Sequence, residues 1–182
     1  MREHEARATN CEPAAAPAER AIEHCTKPLV VLGCGNVLRG DDGFGPAVAE
    51  RLLAAGRIPP WAAVVNAGSS VRDLLFDMLV GEHRPRTLVL VDILEAGRRP
   101  GEVFALGLDE LPVARIGDFS PHQAPTSTLL RQLRDARGVK VLVVACQATV
   151  GDEVGIGLTP GVDRAADQAA QFIAERFLTG RL

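Results

Sequence analysis

The apolar positions of the chain fall first into short continuous runs. They occupy 29–32, 62–65, 88–91 and, interrupted once by Lys140, 139–146, and each run is followed by glycine or a polar residue. Runs of this length, rich in Val and Leu, are typical of strands buried on both faces of a parallel sheet. A further short strand is predicted at 102–106, with an antiparallel position at the sheet edge as one option.

Helical spacing separates these runs. Apolar residues three and four positions apart predict amphipathic helices at 43–55, 71–79, 125–137 and 162–177. The second helix has the clearest pattern, and Ser70 with Asp73 three residues later resembles a capping box at its start. Gly81 is expected to end that helix.

This alternation of strands and helices predicts an α/β fold. We expect three layers, α/β/α, around a twisted, mostly parallel sheet of about five strands. Residues 28–182 are expected to form one domain. Residues 1–27 are rich in Ala, Glu, Arg and Pro and lack the apolar segment of a secretion signal, so a flexible extension is predicted there. Irregular segments are predicted at 93–121, apart from the short strand, and at 148–161.

Composition and charge exclude several classes of function. The net charge is −3, so the chain presents no basic field for nucleic acid. No apolar run approaches the roughly 20 residues that a membrane helix requires. The four cysteines form no C-x-x-C pair, which argues against a disulfide framework or a thiolate zinc site, and Cys34 and Cys146 are expected to be buried. These features favour a cytoplasmic protein that binds neither nucleic acid nor membrane.

The segment after the first strand is unusually rich in glycine and acid. Asp41 and Asp42 lie just before the first helix, among glycines at 33, 35, 40, 43 and 45. Such a backbone turns tightly or lies very close to another group. Because the segment follows a strand, it lies at the edge where open α/β sheets bind their ligands.

Other polar residues are predicted at the same edge. Asn66 follows the second strand, Asp92 follows the third, and His122 ends the irregular segment before the third helix. Two carboxylates and an imidazole, Asp42, Asp92 and His122, suit a divalent transition metal with open coordination positions. Asp92 directly follows four apolar residues, and a buried carboxylate requires a partner or a metal.

Simpler interpretations exist for these residues. Asp41 and Asp42 would also complement the dipole of the first helix by capping it, and His122 alone would be an ordinary histidine. The glycine loop contains Gly33-x-Gly35 of a dinucleotide fingerprint. It has Leu38 at the third glycine position, however, and no acid ends the second strand.

The segment Gly33-Cys-Gly-Asn-Val-Leu-Arg-Gly-Asp-Asp-Gly-Phe-Gly45 resembles the maturation endopeptidases of nickel–iron hydrogenases. It is most similar to the type that serves cofactor-F420-reducing and related cytoplasmic hydrogenases. The resemblance covers about residues 28–175. It continues through Leu90-Val-Asp92, Pro100-Gly-Glu102, Ser120-Pro-His-Gln123 and Gly157-Leu-Thr159.

The resemblance implies an aspartyl-type endopeptidase that removes a C-terminal extension from the precursor of the hydrogenase large subunit after nickel insertion. Matched position by position, the metal-contacting and catalytic residues are Asp42, Asp92 and His122. Residues of the motifs expected to contact substrate are Gly33, Gly35, Asn36, Asn66 and Gln123. Family members commonly have an aspartate where this chain has Asn66, and an amide cannot act as a base. Asp41, Asp42 or Asp92 would then have to take that role.

Two arrangements of the metal remain open. Nickel already seated in the precursor is recognised by the three residues, or the three residues hold a metal of their own that activates water. We favour nickel carried by the substrate, with no other cofactor. A non-catalytic chaperone that binds the nickel-containing large subunit is the alternative function.

Overall fold

The computed structural model describes residues 26–111, 126–149 and 154–179. Strands and helices alternate along these ranges as β1 Leu29–Cys34, α1 Phe44–Ala54, β2 Ala62–Gly68, α2 Val71–Val80, β3 Thr87–Leu94, β4 Val103–Gly107, α3 Thr126–Arg137, β5 Lys140–Gln147 and α4 Pro160–Ile173. Short 3₁₀ turns occupy Gly40–Gly43 and Leu108–Glu110, and a π-helical turn, Ala174–Leu178, continues α4.

The five strands form one sheet in the order β2-β1-β3-β5-β4. All neighbours are parallel except β4, which pairs antiparallel with β5 at the edge. The predicted sheet, mostly parallel with an antiparallel edge strand, is confirmed. From β1 the chain first adds β2 on one side and then crosses to place β3 on the other side. The crevice between β1 and β3 is therefore the topological switch point, where folds of this class bind ligands.

Helices cover both faces of the sheet, as predicted. α1 packs with α4, and α2 packs with α3. The α1/α4 face buries Phe44, Val48 and Leu52, which are the residues whose spacing predicted the first helix. The α2/α3 face buries Leu75 and Met78 against alternate residues of the strands.

Two strands extend further than their apolar runs. β3 continues past Asp92 to Leu94, because its pairing with β5 runs on from Asp92↔Ala145 to Leu94↔Gln147. Asp92 is therefore inside the strand rather than at its end. β2 likewise continues past Asn66 to Gly68.

The capping box predicted at α2 is wrong. Ser70 occupies the N-cap position, but its side chain makes no capping hydrogen bond. Its backbone angles, φ −87° and ψ 10°, are close to helical, whereas a capping side chain requires an extended N-cap. Gly81 ends α2 as expected.

The short strand predicted at 102–106 is confirmed as β4. The residues after it were predicted to be irregular, but they begin with a 3₁₀ turn whose Leu108 is buried in the core. Residues 112–125, including His122 and Gln123, are outside the described residues, as is the predicted extension up to residue 25. None of the helices within the described ranges has both the length and the apolar character needed to cross a bilayer.

Candidate active site

The glycines of the loop after β1 let α1 start directly over the sheet. A Cβ atom on Gly45 would lie 2.2 Å from the backbone oxygen of Cys34 and 2.3 Å from that of Val91. A Cβ atom on Gly33 would lie 2.2 Å from the backbone oxygen of Gly45. Only a chain without side chains at these positions brings α1 this close to the ends of β1 and β3. The Gly33 and Gly45 backbones thus position the loop at the switch point.

The same loop folds back on itself and fixes Asp42. Gly35 has a φ of +128°, and a Cβ atom there would lie 1.9 Å from the backbone oxygen of Asp42. The Asn36 N–H donates a hydrogen bond to Oδ2 of Asp42 at 2.9 Å, while Asn36 Oδ1 accepts one from the Leu38 N–H at 3.0 Å. Oδ1 of Asp42 has no hydrogen-bond partner in the part of the chain that the structure describes. The carboxylate is therefore anchored by one oxygen, and the other is available to a ligand.

Neither acid of the loop caps α1 with its side chain. The N-cap of α1 is Gly43, which has no side chain and so makes no capping hydrogen bond. Asp41 instead accepts hydrogen bonds from the Thr159 N–H at 2.7 Å and the Thr159 hydroxyl at 3.0 Å. Thr159 is the N-cap of α4, so Asp41 joins the glycine loop to the last helix. The capping interpretation of the sequence is wrong for α1, because this carboxylate binds a helix 118 residues away.

Asp92 lies at the switch point on the α2/α3 face of the sheet. It follows Leu88 and Leu90 in the alternation of β3, and only 8% of it is exposed. Its Oδ1 accepts a hydrogen bond from the Ile93 N–H at 2.8 Å. The turn that carries Asp42 contacts β3. The meeting of Asp42 and Asp92 at one site stays a prediction, which this contact supports.

Asn66 is on the other side of the sheet. It continues the alternation of Ala62 and Val64, which pack on the α1/α4 face. Its side-chain N–H donates to Oε1 of Glu50 on α1 at 3.2 Å. Asn66 is therefore not grouped with Asp92, and its predicted contact with substrate stays a prediction.

The third predicted ligand, His122, and its neighbour Gln123 are outside the described residues. Within the described ranges, no three His, Cys, Asp or Glu side chains are arranged to hold a metal ion. The metal site of Asp42, Asp92 and His122 consequently stays a prediction.

Gln147 is a structural residue of this edge that the sequence reasoning missed. Its buried Oε1 accepts hydrogen bonds from the Ala96 N–H at 2.8 Å and the Arg98 N–H at 3.0 Å. Its backbone also pairs with Gly101 and Glu102. The turn between β3 and β4 is thereby fixed against β5. The available signal was a polar residue ending a buried run, the same signal that identified Asp92.

A charged residue of that turn is also held in place. The Arg98 guanidinium donates to Glu102 at 2.9 Å and holds the pKa of that carboxyl below its usual value, with a weaker contribution from Arg99. Arg98 lies over the ring of Phe104, 4.3 Å from its centre. The turn therefore presents a fixed pair of charges rather than a free carboxylate.

Cys34 and Cys146 are buried free thiols, as predicted. Burial raises the pKa of Cys146 to about 11, and the negative charge of Asp41 adds to the effect. A thiol nucleophile requires a lowered pKa. Cys146 is therefore unsuited to nucleophilic catalysis at neutral pH.

Comparison with known proteins agrees with the motifs. A model of the hydrogenase maturation protease family matches residues 46–176. A Methanocaldococcus jannaschii protein assigned to the same kind of protease is 31% identical over 81% of this chain and 94% of its own length. The delta subunit of the coenzyme F420 hydrogenase of Methanothermobacter thermautotrophicus is 29% identical over 81% of this chain and 92% of its own.

Solved structures agree as well. The hydrogenase maturating endopeptidase HybD from Escherichia coli is 27% identical, with a TM-score of 0.63 over 81% of this chain and 90% of that one. The protease HycI from Thermococcus kodakarensis shares the fold with a TM-score of 0.64 over 88% of this chain and 97% of its own. The chain therefore belongs to the hydrogenase maturation protease family, as its motifs predicted, and is a peptidase.

Proposed function

We propose that this peptidase removes the C-terminal extension of the large-subunit precursor of a nickel–iron hydrogenase, in the cytoplasm, after nickel has been inserted. Asp42, Asp92 and His122 recognise the nickel that the precursor carries. The observation that supports this is the contact between β3, which carries Asp92, and the turn Gly40–Gly43, which carries Asp42, beside the switch point of the sheet. Carboxylate oxygens and imidazole are suitable ligands for a divalent transition metal with open positions.

The charge of the two carboxylates supplies a reason for selectivity. Asp42 and Asp92 are both negatively charged, so they repel each other when no cation lies between them. They also repel any acidic group of a precursor that lacks nickel. Nickel in the precursor neutralises them, so the nickel-loaded form binds better than the empty one. Specificity then comes from the charge that the substrate itself carries.

Hydrolysis also requires a group that takes a proton from water as the water adds to the peptide carbonyl. The same group returns the proton to the amine that leaves when the C–N bond breaks. Both oxygens of Asp41 accept hydrogen bonds from Thr159, and Asn66 is an amide on the other face. Asp42 has one carboxylate oxygen without a partner among the described residues. These contacts favour Asp42 or Asp92, rather than Asp41, as the base.

The test compares nickel-loaded and nickel-free precursor, each incubated with protease that has been stripped of metal by a chelator. Mass spectrometry of the products is expected to show loss of a C-terminal fragment from the nickel-loaded precursor alone. Equal cutting of both precursors would overturn nickel recognition. Binding of the precursor without any shortening would indicate a non-catalytic chaperone instead.

Site variants make the same test residue by residue. Asp42→Asn, Asp92→Asn and His122→Ala are each expected to abolish cleavage while the melting temperature shows that the protein stays folded. Asp77→Asn is the matched control, because Asp77 is an exposed carboxylate on α2 remote from the switch point. Full cleavage by Asp42→Asn would remove Asp42 from the proposed site.

A further inference from the structure

Four large aliphatic side chains beside the candidate site are exposed. They are Val37 at 50%, Leu38 at 52%, Val154 at 82% and Ile156 at 87%. Single exposed aliphatic residues are common on protein surfaces, but a group of them typically marks an interaction site. We refer to these four residues as the aliphatic surface.

The two loops that carry these residues are joined by backbone hydrogen bonds. The Gly40 N–H donates to the Gly155 oxygen at 2.7 Å, and the Gly155 N–H donates to the Leu38 oxygen at 3.0 Å. This parallel pairing of Arg39 with Gly155 sets the register of the loops and brings Leu38 alongside Val154. The pairing therefore places the two exposed aliphatic segments side by side, although more than 110 residues separate the loops in sequence.

The aliphatic surface has a fixed position relative to Asp42. Its first loop is held by the hydrogen bond from the Asn36 N–H to Asp42, and Asn36 Oδ1 holds Leu38 in turn. Its second loop is held where Thr159 binds Asp41. A rigid apolar surface costs little entropy to bring into a complex.

We propose that the aliphatic surface binds an apolar segment of the hydrogenase large-subunit precursor next to the bond that is cleaved. This inference depends on the proposed function, because the aliphatic surface would bind the same substrate. The continuity of the surface with Asp42 is the reason for choosing this occupant. Its role is to supply affinity that does not depend on nickel, whereas the carboxylates supply selectivity for nickel.

The test replaces the two most exposed members by serine, as Val154→Ser/Ile156→Ser. Because these side chains contact little else, the melting temperature is expected to stay unchanged. The KM for nickel-loaded precursor is expected to rise about tenfold or more, as for loss of a central apolar contact, with kcat within about twofold. The matched control is Phe76→Ser/Val80→Ser on α2, which removes two other exposed apolar side chains and is expected to change neither constant. An unchanged KM for Val154→Ser/Ile156→Ser would overturn the proposal.

A second measurement separates this proposal from the proposed function. Nickel-free precursor, which is not expected to be consumed, is titrated against the wild-type and the serine proteins to give a Kd. A wild type that cuts no precursor would refute the proposed function, yet a Kd about tenfold weaker for the serine protein would still support the aliphatic surface. Normal cutting with equal Kd values would refute the aliphatic surface alone.

Two other occupants have distinct outcomes. A wild-type dimer in sedimentation that becomes monomeric in Val154→Ser/Ile156→Ser would assign the surface to a second copy of the chain. Increased binding of an apolar fluorescent dye after deletion of residues 1–25, abolished again by the serine substitutions, would assign it to the N-terminal segment. Either result would overturn the proposal.

Discussion

At the scale of single residues, most glycines of the first loop are needed because backbone atoms approach them closely, rather than because the chain turns there. Gly35 has a positive φ, but Gly33 and Gly45 are needed because backbone oxygens occupy the space of a side chain. The sequence showed that the backbone was special there. It did not show which atoms come close, because those atoms belong to β1 and β3 as well as to α1.

Gly45→Ala tests this close contact. We expect it to lower the free energy of unfolding by about 3 kcal/mol or more, since the added methyl group meets backbone atoms that cannot move aside. Gly161→Ala is the matched control, because Gly161 also lies in the first turn of a helix and has open space around it. That change is expected to be neutral or to stabilise by up to ~1 kcal/mol. Urea denaturation measures both, and equal stabilities would contradict the packing argument.

Other residues show what a single sequence leaves open. The four-residue pattern at Ser70 and Asp73 suggested a cap that the backbone angles do not allow. Capping of α1 was one interpretation of Asp41, which binds Thr159 at α4 instead. Both errors concern partners chosen by the tertiary fold, because a carboxylate or hydroxyl can serve several donors and the sequence alone does not rank them.

At the scale of elements, the apolar pattern predicted which segments are strands and helices better than where they end. The ladder of β3 with β5 continues through Asp92, because backbone hydrogen bonds do not depend on the side chain. An apolar run therefore gives the buried centre of a strand and not its full length. The sequence allowed an antiparallel edge position for β4 but did not require it, because the order of strands in a sheet depends on long-range pairing.

The contact between α1 and α4 includes one arginine that binds two carboxylates. Arg51 contacts Asp163 and Asp167 at 2.6 Å each, and all three side chains are partly exposed. Arg51→Met keeps most of the aliphatic stem and removes the charge. We expect it to lower the free energy of unfolding by about 1 kcal/mol or less at low salt, as for exposed ion pairs.

The salt dependence of stability distinguishes the contribution of the Arg51 charge from that of its packing. In about 1 M sodium chloride, where exposed charges are screened within ~3 Å, the wild-type and Arg51→Met proteins are expected to converge in stability. Chemical denaturation at both salt concentrations is the measurement. A difference that persists at high salt would mean that Arg51 joins the helices by packing.

At the scale of the whole molecule, the sheet divides the polar residues of its carboxyl edge between two faces. The sequence predicted one edge correctly for Asp42, Asn66 and Asp92, because parallel strands end on the same side. It did not predict the faces, since the face of a strand residue depends on the alternation of its neighbours and on the irregularity near Gly33 and Cys34. Asp92 is on the α2/α3 face, and Asn66 is beside Glu50 on the α1/α4 face.

This division gives a prediction for the position at which the resemblance implies an aspartate. Asn66→Asp introduces that carboxylate but places it next to Glu50, across the sheet from Asp92. Because that carboxylate does not face the crevice, cleavage of nickel-loaded precursor is expected to change by less than about threefold, the scale of a surface substitution. Stability is expected to fall slightly at low salt, because the new carboxylate and Glu50 repel each other.

The double variant Glu50→Gln/Asn66→Asp is the control for that repulsion. Its amide donates a hydrogen bond to the new carboxylate in place of the wild-type contact between Asn66 and Glu50, so the loss of stability is expected to disappear. Melting temperatures at low salt and initial cleavage rates are the measurements. A tenfold change in rate for Asn66→Asp, with stability intact, would show that the α1/α4 face also contributes to the chemistry. The crevice between β1 and β3 would then be only part of the active site.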